Sequence, residues 1–502
     1  MVGRIVISAV DWVVHHIWFS DIAVALSSIF IFSSILHRLT NKGPMLWPVM
    51  GIIPTLFFHI NDIYNWGTRV LIRAGGTFYY RGMFKNFPKG NYYRERFNDL
   101  LGGGIFNADD ESWKEQRRLA TFEMHSGPFV AHSFQTIQGL VHQKLLKLIE
   151  KLAKSGDCID LQEVLLRFTF DNICTAAFGV DPGCLALDLP EVPFAKAFEE
   201  ATESTLFRFI VPPFVWKPMR FFRVGTEKRL KEAVRIVHDF AEKTVTERRI
   251  ELSKAGSSTN RCDLLSRIMA IGYSEQGKNN FSDKFLKDFC ISFILAGRDT
   301  SSVALAWFFW LIHKNPEVES RILSEIKEVL GPYDSNKEDL SQRAFTVEEL
   351  KKMVYLQAAL TESLRLYPSV PIDFKEVMED DVFPDGTPIK RGARVLYSIF
   401  SMARIESIWG KDCMEFKPER WIKDGELVSE NQFKYPVFNA GPRLCIGKKF
   451  AYMQMKMVAA SMLMRYSVKV VEGHNVIPKM TTTLYMKNGL LVTFKPRLSL
   501  VS

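Results

Sequence analysis

Apolar and polar positions in this chain recur mainly with a helical period, and one long apolar run stands near the start. From Ile17 to Leu36 the residues are apolar apart from Asp21 and several serines. About 20 helical residues match the hydrocarbon thickness of a bilayer. A cleaved leader or a buried core helix would show the same run. Its late start, with no Ala-x-Ala-like site after it, favours an uncleaved anchor. Arg38 and Lys42 follow directly and put the body on the cytosolic side. Pro44, Pro48 and Pro54 break any continuing helix. The expected organisation is an anchor over 1–40, a proline-rich hinge over 41–58 and one large domain over 59–502.

Within that domain, Thr77 to Tyr80 reads as a short strand closed by Arg81-Gly82. Asp109 and Asp110 are N-cap candidates for a helix carrying Trp113 and Arg117 on one face. Phe134, Ile137, Val141, Leu145, Leu148 and Leu152 mark a long amphipathic helix. Asp160 and Glu163 form a capping box before a helix ending near Gly179. Residues 190–223, rich in Phe and Pro, read either as a mobile roof over a channel or as a loosely packed helix pair. The Gly/Ser-rich stretch 255–280 reads as a surface loop. Ser282 caps a helix reaching Asn315, where Pro316 stops it, a length of about 50 Å at 1.5 Å per residue. Val370 to Lys375 enters a short strand, Asp385-Gly386 and Gly392 make hairpin turns, and a Met-rich helix runs from Ala451 to about Met464.

Composition narrows the possibilities. With 47% hydrophobic and 24% charged residues in 502, the chain is globular with a large core, and 39 Phe suit an apolar cavity. The net charge of +9 is spread along the chain; it favours an anionic partner, a membrane surface or an acidic protein face. No aromatic-interleaved basic block points to nucleic acid. Seven scattered cysteines without a Cys-x-x-Cys pair argue against a zinc site or disulfide framework and for a reducing compartment.

Three places carry candidate chemistry. Cys445 lies on a loop between Gly441 and Gly447, with Arg443 two residues before it and a helix just after. Glycines let backbone approach a flat partner, and helix N-terminal amides favour a thiolate. Packing is the common role of a lone cysteine, but this architecture suits an axial ligand to haem iron. The centre of the long helix reads Ala296-Gly297-Arg298-Asp299-Thr300-Ser301, an acid and a hydroxyl inside an apolar segment. Either Asp299 pairs with a cation and Thr300 bonds its own helix, or Gly297 relaxes the helix to admit dioxygen and water while Asp299 and Thr300 relay protons. Glu362 and Arg365 share a helix face; on a surface such a pair is worth under about 1 kcal/mol.

Taken together, Phe438, Gly441, Arg443, Cys445 and Gly447 resemble the haem-binding loop of the cytochrome P450 superfamily. The central-helix stretch is similar to that family's Ala-Gly-x-Asp-Thr oxygen-activation motif. Arg420, in Phe416-Lys417-Pro418-Glu419-Arg420-Trp421, supplies the second arginine of its buried Glu-Arg-Arg cluster with Glu362 and Arg365. Stretches 296–310, 379–387 and 438–447 look closest to the plant fatty-acid ω-hydroxylase branch. The resemblance implies a mainly α fold with small β-sheets and a long helix over haem b. Cys445 would be the axial iron ligand, Asp299 and Thr300 the proton donors, and Glu362, Arg365 and Arg420 a structural lock. Trp113, Arg117, Arg443 and Lys375 would serve the haem propionates, with Phe438, Gly441 and Gly447 shaping the loop. It further implies O2, a long-chain fatty acid oxidised at its terminal carbon, and an endoplasmic reticulum membrane. Electrons would come from NADPH through a separate NADPH-cytochrome P450 reductase, since no Gly-x-Gly-x-x-Gly fingerprint is present, with Lys448 and Lys449 as docking cations. One departure stands out. Met83 runs straight into Phe84-Lys85-Asn86-Phe87-Pro88-Lys89-Gly90, where the family interposes a strand and a short helix. Alternatives are therefore a P450 acting on an alkane or fatty alcohol, or a non-catalytic haem protein.

Overall fold

The computed structural model describes residues 24, 27, 28, 31, 32, 53–73, 86–255, 261–274, 281–331 and 343–497. The anchor expected from Ile17 to Leu36 lies outside these, save Val24, Ser27, Ser28, Ile31 and Phe32, which are helical and exposed. The strand at Thr77 to Tyr80 and the junction at Met83 lie outside them altogether. The chain forms two compact units, Met1–Thr77 and Phe78–Ser502. The first contains α1 (Ile53–Phe58) and α2 (Ile63–Arg73), where Trp66 stacks on His59 and Arg69 pairs with Asp62.

The second unit opens with α3 (Gly90–Leu101), α4 (Asp110–Met124), α5 (Gly127–Leu140), α6 (Leu146–Ser155), β1 (Ile159–Asp160) and α7 (Leu161–Phe178). A π-helical turn, Val141–Leu145, joins α5 to α6, so the stripe of Ile137, Val141, Leu145 and Leu148 is buried along one nearly continuous rod. Asp160 starts α7 by accepting from Gln162 N at 2.9 Å and Glu163 N at 3.4 Å. Gly179 ends it at φ +63°, which a glycine adopts without strain. Glu163 bonds Arg167 at 2.8 Å, an i, i+4 partner that stands in place of the expected capping-box return.

Next come α8 (Pro193–Ile210), α9 (Pro213–Phe222), α10 (Gly225–Ala255), α11 (Leu264–Ser274), α12 (Asp283–Lys314) and α13 (Pro316–Leu330). The Phe/Pro-rich stretch is thus the helix pair α8 and α9. Helix α11 corrects the reading of 255–280 as a loop. Its Leu264, Leu265, Ile268 and Met269 are fully buried, and Asp263 accepts from Ser266 N at 2.9 Å to start it. The glycines and serines that dominate the composition flank this short apolar face.

Ser282 accepts from Phe285 N at 3.2 Å and starts α12, whose interior is buried almost throughout. At 32 residues it contains an 18-residue window apolar enough to cross a membrane, but 78% of that window is buried inside the protein. It is a core helix. The α-helix runs without a break through Gly297. A Cβ at Gly297 would sit 2.5 Å from Ile173 Cγ1, which shows what the glycine does: it lets α7 approach α12.

The remaining elements are α14 (Val347–Lys352), α15 (Val354–Leu366), β2 (Ile372–Glu376), β3 (Asp381–Val382), β4 (Pro388–Ile389), β5 (Arg394–Ser398), α16 (Ile399–Met402), α17 (Glu406–Trp409), β6 (Ile422–Lys423), β7 (Glu426–Leu427), α18 (Lys448–Arg465), β8 (Tyr466–Val470) and β9 (Leu491–Pro496). The strands pair antiparallel as β1-β9-β8, β2-β5, β3-β4 and β6-β7. The architecture is mainly α with small sheets, as the sequence suggests.

Replacing Gly297 by Ala overpacks the α7–α12 contact and is expected to cost about 1–3 kcal/mol. Urea unfolding of the holoprotein checks this, and an unchanged midpoint would show the close approach to be unimportant.

Candidate active site

The cysteine loop is built from two 3₁₀ turns, Pro436–Phe438 and Gly441–Arg443, ahead of α18. Cys445 N–H donates to Phe438 O at 2.8 Å and closes it. Gly441 turns the chain at φ +64°. Gly447 is unstrained at φ −85°, and a Cβ there would lie 3.8 Å from Cys445 Sγ, so this glycine keeps the space beside the sulfur clear. Ile446 and Phe450 pack on the helical core, and Phe438 lies 5.3 Å from the Tyr452 ring. Cys445 is accessible to solvent along one side. Protein nonetheless crowds the thiol closely enough that desolvation pushes its pKa up, against the Gly447 N–H, Arg117 and Lys448. The Gly447 N–H thus favours the thiolate, as expected, and burial opposes it; coordination to a metal deprotonates a thiol outright.

Around the loop sits a shell of cations. Arg443 bonds Asp109 at 2.6 Å and lies 4.4 Å over Trp113, which is buried in α4. Arg117, 5.7 Å from the same ring, donates to Leu444 O at 2.5 Å, and among the described residues no carboxylate pairs with it. Burial lowers the Arg117 pKa, while Cys445 opposes that shift. Asp109 is the N-cap residue of α4, but its carboxylate does not cap that helix. It accepts instead from Lys89 N, Gly90 N and Arg94, at 3.0, 3.0 and 2.5 Å, and so starts α3. On β2, Asp373 binds Lys89 at 2.7 Å, Lys375 at 3.2 Å, Tyr397 Oη at 2.6 Å and Asn439 Nδ2 at 3.3 Å. Burial would raise the Asp373 carboxyl, yet Lys375 and Lys89 hold it well below the usual range. Burial brings Lys375 down to about 8 despite Asp373.

This charge pattern fits the implied cofactor. Lys89, Arg94, Arg117, Lys375 and Arg443 face only Asp109 and Asp373 in this network. Partly buried positive charge in excess favours an added anion. A flat group with two carboxylates and a metal that takes thiolate sulfur meets both demands.

The centre of α12 presents two faces. Ala296 and Thr300, one turn apart, are half-buried, whereas Arg298 and Asp299 are buried. Thr300 Oγ1 donates to Ala296 O at 2.7 Å, and Arg298 bonds Asp299 Oδ1 at 2.8 Å. Asp299 Oδ2 is buried without a close hydrogen-bond partner among the described residues, and the Tyr485 phenol lies nearby and interacts with this carboxylate. The structure therefore shows the self-bonding and the ion pair first; Asp299 and Thr300 are neighbours without a bond to each other. Behind the helix, Arg298 and Glu199 line a cleft of about 170 Å³ with Glu163, Arg167 and Lys196.

Glu362, Arg365 and Arg420 do come together. Arg365 grips Glu362 with two 2.8 Å bonds, Trp421 Nε1 adds a third at 2.8 Å, and Arg420 Nε lies 3.4 Å away. Glu362 and Arg365 are fully buried, not a surface pair. Reading the sequence misses Lys89, Asp373, Tyr397 and Asn439 as members of the network. Only the Pro-Lys-Gly run at Lys89 and the alternation of charge in Asp373-Phe374-Lys375 hint at them.

The family model described as "Cytochrome P450" matches residues 67–496. The chain is 52% identical to Cytochrome P450 86B1 of Arabidopsis thaliana over 498 residues, covering 93% of this chain and 88% of that protein. It is 40% identical to Cytochrome P450 94A1 of Vicia sativa, covering 89% and 84%. Among solved structures, a cytochrome P450 (CYP102L1) superposes with a TM-score of 0.66 at 22% identity, covering 82% of this chain and 85% of that one; it shares the fold.

Two outcomes are expected. Glu362→Gln leaves Arg365 buried without its counter-charge and should cost about 3–5 kcal/mol in urea unfolding; a loss below 1 kcal/mol would demote the cluster to an ordinary pair. Because the Asp373 carboxyl is depressed in the fold, its contribution is present above the unfolded value of about 3.9 and is lost as pH falls below it. Asp373→Asn should accordingly flatten the loss of stability between about pH 5 and pH 3. An acid limb as steep as the wild type's would contradict this.

Proposed function

The chain belongs to the cytochrome P450 family and is a cytochrome P450 monooxygenase, and from that premise we propose that it hydroxylates long-chain fatty acids at the terminal carbon. The observation that carries the chemistry is the accessible Cys445 beneath a cation-rich shell. Haem b would be held by Cys445 as axial ligand, with Trp113, Arg117, Arg443 and Lys375 toward its propionates. Phe438, Gly441 and Gly447 shape the loop that approaches it. When bound, haem supplies dioxygen activation: one oxygen atom enters a C–H bond and the other leaves as water, at the expense of two electrons and two protons.

The remaining tasks fall to this chain's own residues. Thr300, on the half-buried face of α12, can turn its hydroxyl from Ala296 O to donate a proton outward. Asp299, once released from Arg298, can take up a proton from solvent and pass it to Thr300. Terminal C–H bonds are stronger than internal ones, so position must decide the outcome. Phe-rich walls would suit a channel that presents only a chain end. Similarity of residues 296–310, 379–387 and 438–447 to the plant fatty-acid ω-hydroxylase branch supports that substrate class. Electrons from NADPH would arrive through a membrane-bound reductase docking on the exposed Lys448 and Lys449. Ile17 to Leu36 would anchor the protein in the endoplasmic reticulum membrane with the body cytosolic.

Full-length protein combined with reductase, NADPH and a panel of fatty acids should give ω-hydroxy acids as the main product. Internal hydroxylation only would sink the terminal assignment. Preferential oxidation of alkanes or fatty alcohols would replace the substrate class, and no oxidation at all would favour a non-catalytic haem protein. Cys445→His should retain haem yet lose oxygenation, and full activity in that variant would refute the ligand assignment.

A further inference from the structure

Two guanidinium groups share one tyrosine ring at the start of α3. Arg96 Cζ lies 3.5 Å from the Tyr92 ring centroid and Arg394 Cζ lies 4.1 Å from it. Both distances are too short for an edge approach, and two groups that close cannot occupy one face. The ring is therefore sandwiched between two cations. Arg96 is buried and fixed by bonds to Arg208 O at 2.7 Å and Tyr92 O at 2.9 Å. Its nearest carboxylate is Glu95 at 3.8 Å, which is itself paired with Lys217 at 2.7 Å. Arg394 is exposed on β5, directly across from Glu376 on β2. That cross-strand partner is diverted: Glu376 Oε2 accepts from Tyr92 N at 3.0 Å, and no carboxylate among the described residues pairs with Arg394. Burial lowers the Arg96 pKa, and Arg394 and Arg208 lower it further.

The clamp sits at the head of an aromatic wall. Tyr92 lies 5.8 Å from Phe209 and 5.9 Å from Phe374, and Tyr93 packs on Phe374 at 5.7 Å and on Phe97 at 4.7 Å. Next to Phe374 in β2 is Asp373, bonded to Asn439 of the cysteine loop. Positive charge at the exposed end and apolar rings leading toward the cysteine loop match a molecule with one anionic end and a long hydrocarbon tail.

We propose that Arg394, backed by Arg96 across Tyr92, binds the carboxylate of a long-chain fatty acid and thereby leaves its far end toward Cys445. A guanidinium fork suits a carboxylate bidentately, and stacking on tyrosine holds it in place. This inference rests on the fatty-acid reading above and names the residue that makes the acid, not merely its chain, the preferred ligand.

The test is calorimetric binding of a saturated fatty acid and of the primary alcohol of equal length to the full-length holoprotein in detergent. Arg394 is exposed and makes no ion pair among the described residues, so Arg394→Gln should fold with its haem spectrum unchanged. Loss of one charge-assisted contact should lower the acid-over-alcohol preference about tenfold. Arg394→Lys, which keeps the charge without the fork, should fall between the two. An unchanged preference in Arg394→Gln, with a wild type that prefers the acid, overturns the clamp and leaves the fatty-acid reading standing. A wild type with no preference for the acid overturns both.

Discussion

The carboxylate of Glu362 is the point to which the cysteine side of the molecule is tied. It is fully buried and accepts five N–H bonds, from Arg365 Nε and Nη2, Trp421 Nε1, Lys417 N and Arg420 Nε. A buried charge survives only when so compensated. Its partners pass the constraint outward. Arg365 also donates to the carbonyls of Ala403, Cys413 and Glu415, and Arg420 to those of Trp409 and Asp412. The chain from 403 to 421, built of short turns and single-turn helices, is thereby tied to α15. Tyr435 Oη then donates to Thr361 O at 3.0 Å, and Tyr452 Oη meets Thr361 Oγ1 at the same distance. Both ends of the cysteine loop are thus referred to one helix, and Cys445 inherits its place from Glu362.

A second constraint is the excess of positive charge next to that loop. Asp109 and Asp373 each organise several cations, and among the described residues the cations of the two networks outnumber the carboxylates. The two are joined through Lys89, whose amide binds Asp109 and whose ammonium binds Asp373. An anionic cofactor held here would therefore bear on the start of α3, which carries the Tyr92 ring at the other end of the aromatic wall.

Much of this was legible in the sequence, and the parts that were not share a cause. Ser282, Asp160 and Gly179 act within a turn of the helices they bound, so spacing alone reveals them. The Glu-Arg-Arg cluster and the cysteine loop were legible through family resemblance, because Glu-x-x-Arg by itself describes any surface helix. At Gly297 a packing reason for the glycine lies on another helix, at Ile173, out of reach of local pattern. Asp109 misled for a like reason: it stands where an N-cap belongs, but Lys89, Gly90 and Arg443 approach its carboxylate from distant parts of the chain. Helix α11 hid because a short buried face was averaged into polar flanks. Tertiary neighbours, not local pattern, decided each of these.

The account stands on Cys445 as a thiolate ligand to haem iron, and the carbon-monoxide difference spectrum of the reduced full-length protein tests it most directly. A strongly red-shifted Soret band in the wild type, lost in Cys445→His while haem remains bound, is the result predicted. Bound haem without that band in the wild type, or a band that persists in Cys445→His, would contradict the account.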